Sequence, residues 1–484
     1  MKKLFWIFPT WFLIDNVLGL NGYHFTFFGF GIRIILFALS VLSLGIYCLY
    51  TVREQKISLW KRDPNRTHIL SFVKPIDYFV LGFLVWNFIW ATVIPRIKQT
   101  NPSMGMDEFE PLLVLVLYFP CAFLLRTGQM RLRSMLKWLI PLLGLLAVWH
   151  CVMYIGEVNA PGFYAGYYKL IDIISFGTAV QTDVIVGYGI TRIIQVTSTL
   201  LIPGMLLLLE FSSSKRRIWP LALLIPMLFA VLITYTKSIW FGILAGLILA
   251  VAGILIFSRD AGTKKRAAIF SLAFLVLFCV FNYGFLNNTI ITRTLNTTNP
   301  TSIEDLDSQV ADLQAQLDKI QSGESDPSGS GNNKKPEEIE QMLKDLENQR
   351  KDASGSAQAN AIRAEQNAAL MKKWSQSKLL GFGYGSYAED CIRSEQFPFM
   401  YESLLPSLLM KLGLVGLFGW GVFVMALVVF AVKSLWKKPV RFWCWIGTAI
   451  AYAMAVQTNP FLFTFAGFSL MLYLLLFIIA PSEE

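Results

Sequence analysis

Charged side chains are scarce in this sequence. Only 15% of its 484 residues carry charge, where a soluble globular chain carries about a quarter. A conventional soluble enzyme is excluded on that count. Histidine is scarcer still, with three residues, and the six cysteines show no CxxC or CxxxH spacing. A zinc site needs such closely spaced ligands, so none is expected. Cys48, Cys121, Cys151, Cys279 and Cys444 fall in or beside apolar stretches and Cys391 stands alone, so no disulfide framework is expected either. The N-terminal stretch MKKLFWIFPTWFLIDNVLGLNG has no A-x-A-like cleavage site. It reads as a first membrane span rather than a cleaved signal peptide.

What the sequence has is apolar length. Hydrophobic residues make up 55% and aromatic residues 14%. Apolar stretches recur at about 4–20, 27–51, 70–95, 111–126, 138–156, 194–212, 218–236, 239–257, 267–286, 403–432, 443–459 and 461–480. Roughly 20 apolar residues cross about 30 Å of hydrocarbon as a helix. These stretches are continuously apolar, whereas barrel strands alternate. The expectation is an all-α integral membrane protein with about twelve transmembrane helices.

The net charge of +10 is concentrated in short connections, at Lys2 and Lys3, Arg53 to Arg66, Arg126 to Lys137, Lys215 to Arg217, Arg259 to Arg266 and Lys433 to Arg441. With twelve spans all of these fall on one side. That is the positive-inside pattern, so a multi-pass protein of the bacterial inner membrane with both termini cytoplasmic is expected, not a nucleic-acid binder. The chain then divides into a membrane domain over 1–286, an extracytoplasmic loop over 287–402 and a second membrane domain over 403–484.

Within the loop, Ile303, Leu306, Val310, Leu313, Leu317 and Ile320 are spaced 3, 4, 3, 4, 3, a heptad seam. A Gly/Pro/Ser/Asn break covers 321–336, and apolar residues return at Ile339, Met342, Leu343 and Leu346. Pro336 with Glu337 and Glu338 suits a helix start. The segment 303–350 is expected to be an antiparallel helical hairpin, a structural or partner-docking arm. A separate amphipathic helix is expected over 359–375, along the membrane surface or over a cavity.

Several residues at the feet of the loop suit chemistry. Arg192 sits at the mouth of the sixth span, where it either snorkels to the interface or binds an anion. Lys237 opens the turn before the eighth span and is either a solvated helix end or an anion contact. Arg293 and Arg363 flank the hairpin, and a guanidinium fork suits phosphate oxygens or a neighbouring carboxylate equally. The cluster LLGFGYGSY, with Gly381, Gly383 and Gly385, lacks the βαβ context of nucleotide binding. It reads as a tight turn returning the loop to the membrane. Glu402 opens the tenth span, as a general base or as a favourable charge at a helix N-terminus.

These residues, in this order, resemble the O-antigen ligase and O-antigen polymerase superfamily of bacterial membrane glycosyltransferases. Those proteins open a span with a Ser-Arg-x-x-Trp-like signature, to which Lys237, Ser238 and Trp240 are similar. They follow it with a large outer loop holding an Arg, an amphipathic helix and a glycine turn. Arg363, the helix to Trp374 and SKLLGFGYGSY correspond. ESLLPSLLMKLGLVGLFGW is similar to the motif that re-enters the membrane, and Arg192 lies where the family has an Arg before its sixth or seventh span. The similarity covers roughly 185–430. Two departures stand out. The ligases carry a His near the position of Glu402, which this chain lacks, and the hairpin is larger than the family usually carries. The first points to a polymerase.

The resemblance implies a glycan on undecaprenyl pyrophosphate as donor, a glycan or lipid acceptor, and a surrounding lipid bilayer. It implies Glu402 as base and Arg363 as the catalytic cation, with no cofactor. Arg192, Lys237 and Arg293 would bind the pyrophosphate, and Tyr384 and Tyr401 would stack on sugars. Ligase-type transfer to a lipid or protein acceptor is the alternative within the class. A transporter or flippase of lipid-linked glycan predicts repeats in matching halves, which the sequence lacks. A scaffold using the hairpin to recruit partner proteins leaves the cations at separate helix ends unexplained.

Overall fold

The computed structural model describes residues 2–19, 26–27, 30–58, 67–174, 184–187, 190–214, 219–286, 290–291, 303–321, 336–392 and 397–480. Helices occupy every apolar stretch. They are α1 (Ile7–Leu18), α2 (Ile32–Glu54), α3 (Pro75–Ile97), α4 (Pro102–Phe109), α5 (Tyr118–Arg126), α6 (Leu132–Asn159), α7 (Phe163–Ile174), α8 (Leu201–Ser214), α9 (Trp219–Leu232), α10 (Lys237–Phe257) and α11 (Ala261–Gly284). The arm follows as α12 (Ile303–Gln321) and α13 (Pro336–Ser375), and then come α14 (Leu404–Leu435), α15 (Pro439–Val456) and α16 (Phe465–Ile479). A tighter helical stretch over Glu110–Leu117 joins α4 to α5, and another over Val196–Leu200 precedes α8. Among the described residues, eight helical segments are long and apolar enough to cross a membrane, and α9 and α16 are shorter apolar helices. The chain is an all-α multispan membrane protein.

Two devices fix how the spans meet. Helices α10 and α15 cross at backbone contact. A Cβ on Gly246 would lie 2.4 Å from the Gly447 carbonyl oxygen, and one on Gly447 2.5 Å from that of Gly246. Small residues at such a crossing let dispersion act between backbones where lipid offers no hydrophobic drive. The crossing brings the start of α10 to the end of α15, where Asn459 Nδ2 donates to Ser238 Oγ at 2.8 Å.

The second device is a break in α14. Gly413 has φ 61° inside an otherwise helical run, which frees backbone groups that must find partners within the protein. The glycine turn supplies them. Phe382 N–H donates to the Met410 carbonyl at 3.0 Å and Gly383 N–H to that of Lys411 at 2.8 Å. Leu414 and Val415 N–H donate back to Lys378 and Leu379, both at 2.9 Å. Trp90 Nε1 donates to the Leu380 and Leu412 carbonyls at 3.0 Å. The two strands of chain approach so closely that a Cβ on Gly381 would lie 2.4 Å from the Lys411 oxygen, and Gly381 itself has φ +66°. A side chain has neither the room nor the backbone angle there.

The arm is a pair of packed helices. Leu313 and Leu317 of α12 bury against Ile339 and Leu343 of α13, with Val310 and Leu346 beside them. Arg350 pairs with Asp307 at 2.5 Å. The expected separate helix over 359–375 is instead the continuation of α13, which runs 40 residues without interruption. No proline follows Pro336 in that stretch, and the one interior glycine, Gly355, costs only about 1 kcal/mol. The last turns of α13 dock on the membrane domain, where Leu370 is buried with Ala388, Tyr401 and Met410.

At the far end of the bundle three arginines are held by neighbours. Arg126 forks onto Asp77 at 2.6 and 2.8 Å, Arg441 reaches Glu210 at 3.3 Å, and Arg266 Nε donates to the Ser213 carbonyl at 2.8 Å.

Candidate active site

The end of the bundle that carries the arm gathers the candidate residues. Arg363, on α13, and Glu402, just before α14, are 39 residues apart in sequence. The fold joins them, with Arg363 Nε donating to Glu402 Oε2 at 2.8 Å. Their side chains are 36% and 19% exposed, so the pair faces solvent. Nη1 of the same guanidinium reaches Asn360 Oδ1 only at 3.5 Å.

Arg192 and Lys237 reach the same end by a chain of contacts. Arg192 lies on a short strand, Ile190–Ile194, paired antiparallel with Val184–Gly187. The next residue, Ile193, donates its N–H to the Ile233 carbonyl at 3.1 Å. His150 of α6 pins the following turn, since its Nε2 meets Ser198 Oγ at 3.0 Å while that oxygen accepts the Gln195 N–H at 3.0 Å. Lys237 is the first residue of α10. Its neighbour Ser238 is bonded to Asn459, and Leu404 N–H donates to the Gln457 carbonyl at 3.2 Å. The starts of α10 and α14 and the end of α15 therefore share one edge. Arg293 lies outside the described residues.

The two tyrosines expected to stack on sugars are packing residues. Tyr384 is fully buried. Its hydroxyl donates to Asn87 Oδ1 at 2.5 Å, and its ring meets Phe463 edge-on at 5.5 Å. Tyr401 is 4% exposed, and its hydroxyl accepts the Ala388 N–H at 2.7 Å. Burial pushes that phenol up to about 12. Neither ring offers a face to a sugar. The glycine turn buries the first, and the docking of α13 covers the second.

A second ion pair at this end was not anticipated. Lys411 lies in the first half of α14 and Glu108 at the end of α4, with side chains 2% and 3% exposed. Lys411 Nζ pairs with Glu108 Oε1 at 2.5 Å and donates to the Phe399 carbonyl at 2.7 Å. Its ammonium also lies 5.8 Å from the Tyr401 ring centroid and 5.7 Å from that of Phe463. Glu108 Oε2 accepts the Gly385 N–H at 2.8 Å. The pair ties α4, the glycine turn and the segment 397–401 together, and so fixes the strand of chain that ends in Glu402. The signal was present in the sequence. Lys411 is the only charged residue between Leu404 and Val432, and an ionisable residue inside a span marks a partner or a site.

Residues 222–421 match the family model for O-antigen ligase. No curated protein and no solved structure matches the chain. The matched region runs from α9 through the arm and the glycine turn past the break in α14. It includes Lys237, Arg363, Glu402 and Lys411, while Arg192 and Glu108 precede it. With this match the resemblance to the O-antigen ligase and polymerase superfamily is borne out, and glycan transfer in a membrane is the activity to which the match points.

Proposed function

We propose that this protein is a membrane glycosyltransferase that polymerises oligosaccharide repeat units carried on undecaprenyl pyrophosphate. The observation that carries the reading is the solvent-facing Arg363–Glu402 contact inside the region that matches the O-antigen ligase family. The basic bias of the opposite connections supports the reading that this end of the bundle lies outside the cytoplasm.

The chemistry follows from the groups present. A hydroxyl oxygen of the acceptor sugar attacks the anomeric carbon of the donor, and Glu402 takes the hydroxyl proton. The bond from the anomeric carbon to the pyrophosphate oxygen breaks, and its electron pair leaves with the pyrophosphate. The Nη edge of Arg363 meets that growing charge, with Arg192 and Lys237 as further cations and Arg293 a candidate fourth. A bidentate guanidinium suits a phosphate better than a point charge does. One such contact, made in the transition state, is typically worth about 3 kcal/mol. Tyr401 and Tyr384 hold the surroundings rigid instead of binding sugar, and Glu108–Lys411 anchors the base.

Ligase-type transfer to a lipid or protein acceptor is the second reading. The description of the matched family favours it. The absence of a histidine near Glu402 favours polymerisation, since His24, His68 and His150 are the only three in the chain. The two share the donor and the bond broken, and they differ in the acceptor. Analysis of glycans from a strain lacking this gene separates them. Loss of long chains with single repeats retained identifies a polymerase, whereas long lipid-linked chains that never reach an acceptor identify a ligase. Unchanged surface glycan and unchanged lipid-linked oligosaccharide contradict both.

A further inference from the structure

Two helices set the depth of the glycine turn. The part of α14 beyond its break, residues 414–435, is about 33 Å long at 1.5 Å per residue. That alone crosses about 30 Å of hydrocarbon, and Lys433 marks its far end. Helix α3 has 23 residues, about 34 Å, and ends between Arg96 and Lys98. The turn touches both helices where those lengths run out. The Lys378 and Leu379 carbonyls accept the Leu414 and Val415 N–H groups at 2.9 Å, and Thr100 Oγ1 donates to the Phe382 carbonyl at 3.1 Å. The turn therefore lies at the level of the hydrocarbon boundary on the arm side.

At that level the turn presents an apolar tip and a basic rim. Leu379 is 64% exposed, and Leu380 is exposed beside it. Leu414 and Val415, whose backbone the turn grips, are exposed as well, and so is Phe418 one helical turn further along α14. The tip is thus continuous with the face that α14 turns to lipid. Above it, Lys98 Nζ lies 6.0 Å and Lys373 Nζ 5.4 Å from the Phe382 ring centroid, so two ammonium groups share one ring. Lys373 Nζ also donates to the Tyr387 carbonyl, and Arg96 and Lys378 are exposed. The segments 90–100 and 370–390 hold five cations and two acids. One of those acids, Asp390, is taken by Lys372 at 2.8 Å. Cations gathered at the edge of an apolar surface call for anions at the same depth, and a phospholipid leaflet offers phosphates there. We propose that residues 378–382 are a lipid-binding foot. Leu379 and Leu380 insert among the acyl chains of the leaflet on the arm side, and Arg96, Lys98, Lys373 and Lys378 hold the phosphates of anionic phospholipid. The occupant is bulk phospholipid and not a lipid-linked donor at the Arg363–Glu402 site. Lys373 is ten residues beyond Arg363 on α13, about 15 Å along the axis, too far for one pyrophosphate to meet both. The foot ties the plug of the broken helix to the bilayer, whatever reaction the protein performs.

The test places a photoreactive benzophenone amino acid at position 379 of the full chain. The same group replaces Phe418 as a lipid-facing control and Gln316, exposed on the arm, as a water-facing control. Each protein is reconstituted in bilayers of equal phosphatidylglycerol and phosphatidylcholine with a small amount of undecaprenyl pyrophosphate, irradiated, and its lipid adducts identified by mass spectrometry. Position 379 is expected to give phospholipid adducts as position 418 does, and position 316 none. Each basic residue near an anionic lipid favours it by about fivefold, so phosphatidylglycerol adducts at 379 should exceed phosphatidylcholine adducts by about tenfold or more. Lys98→Gln/Lys373→Gln should lower that excess to about twofold or less, in a protein with the wild-type unfolding temperature. Lys378→Gln, at an exposed position, should lower it part of the way and decides the matter if the double variant does not fold. Adducts at 418 with none at 379 overturn the proposal, since the turn then lies in water. Equal yields of the two phospholipids, or an excess unchanged in the variants, overturn it as well. Adducts at 379 chiefly to the undecaprenyl chain also overturn it and assign the surface to the lipid carrier.

Discussion

Two ion pairs flank the segment 397–402, and they are built for different purposes. Glu108–Lys411 is closed. Both side chains are all but inaccessible, and the partners around them include a carbonyl, a backbone N–H and aromatic rings. Arg363–Glu402 is open, with side chains 36% and 19% exposed and a contact of 2.8 Å between them. A closed pair buried within the protein has its desolvation offset only while both members remain. An open pair contributes little to stability and keeps its charges near solvent. The difference between them separates the scaffold of this site from its chemistry.

The largest expected effect breaks the closed pair. Lys411→Met leaves Glu108 buried and uncompensated, and should lower stability by about 3–5 kcal/mol, read as an earlier unfolding transition in detergent. The double variant Glu108→Gln/Lys411→Met should recover much of that loss, because no charge then remains buried. A Lys411→Met protein as stable as wild type removes the distinction between the two pairs.

The open pair should behave in the opposite way. Arg363→Ala should change stability by less than about 1 kcal/mol yet slow transfer by about a hundredfold to a thousandfold. Arg363→Lys should recover only part of the rate, since the bidentate fork is lost. Arg192→Ala is expected to follow Arg363→Ala in direction and rough size. A full rate for either alanine variant removes that residue from the pyrophosphate site.

The smallest effect should come from the arm. Replacing 303–350 by a short linker removes α12 and the first turns of α13 but retains 351–375, and with it Arg363 and Leu370. Some transferase activity is expected to survive in a normally inserted deletion. Complete loss makes the arm part of the active site.

How much of this was legible in the sequence depended on the kind of signal. Each apolar stretch became a helix, because twenty apolar residues in lipid have no other way to satisfy their backbone. The seam from Leu306 to Leu317 and its partners Ile339 and Leu343 were readable from spacing alone. The glycine cluster was readable as a turn, but its use as the plug for a broken helix was not. That depends on Gly413, which sits in an unremarkable apolar run. Glu108 and Lys411 are 303 residues apart, and no periodicity carries a contact of that kind. The tyrosines misled because an aromatic ring near a site looks the same in sequence whether it faces a ligand or the core.

The account stands most directly on Glu402. Purified Glu402→Gln protein should be given lipid-linked oligosaccharide extracted from a strain lacking this gene, and its transfer rate and unfolding temperature measured against wild type. Removing the base while keeping the shape should slow transfer by roughly a hundredfold or more and leave the unfolding temperature unchanged. A near-normal rate would contradict the account, leaving Glu402 as no more than a favourable charge at the start of α14.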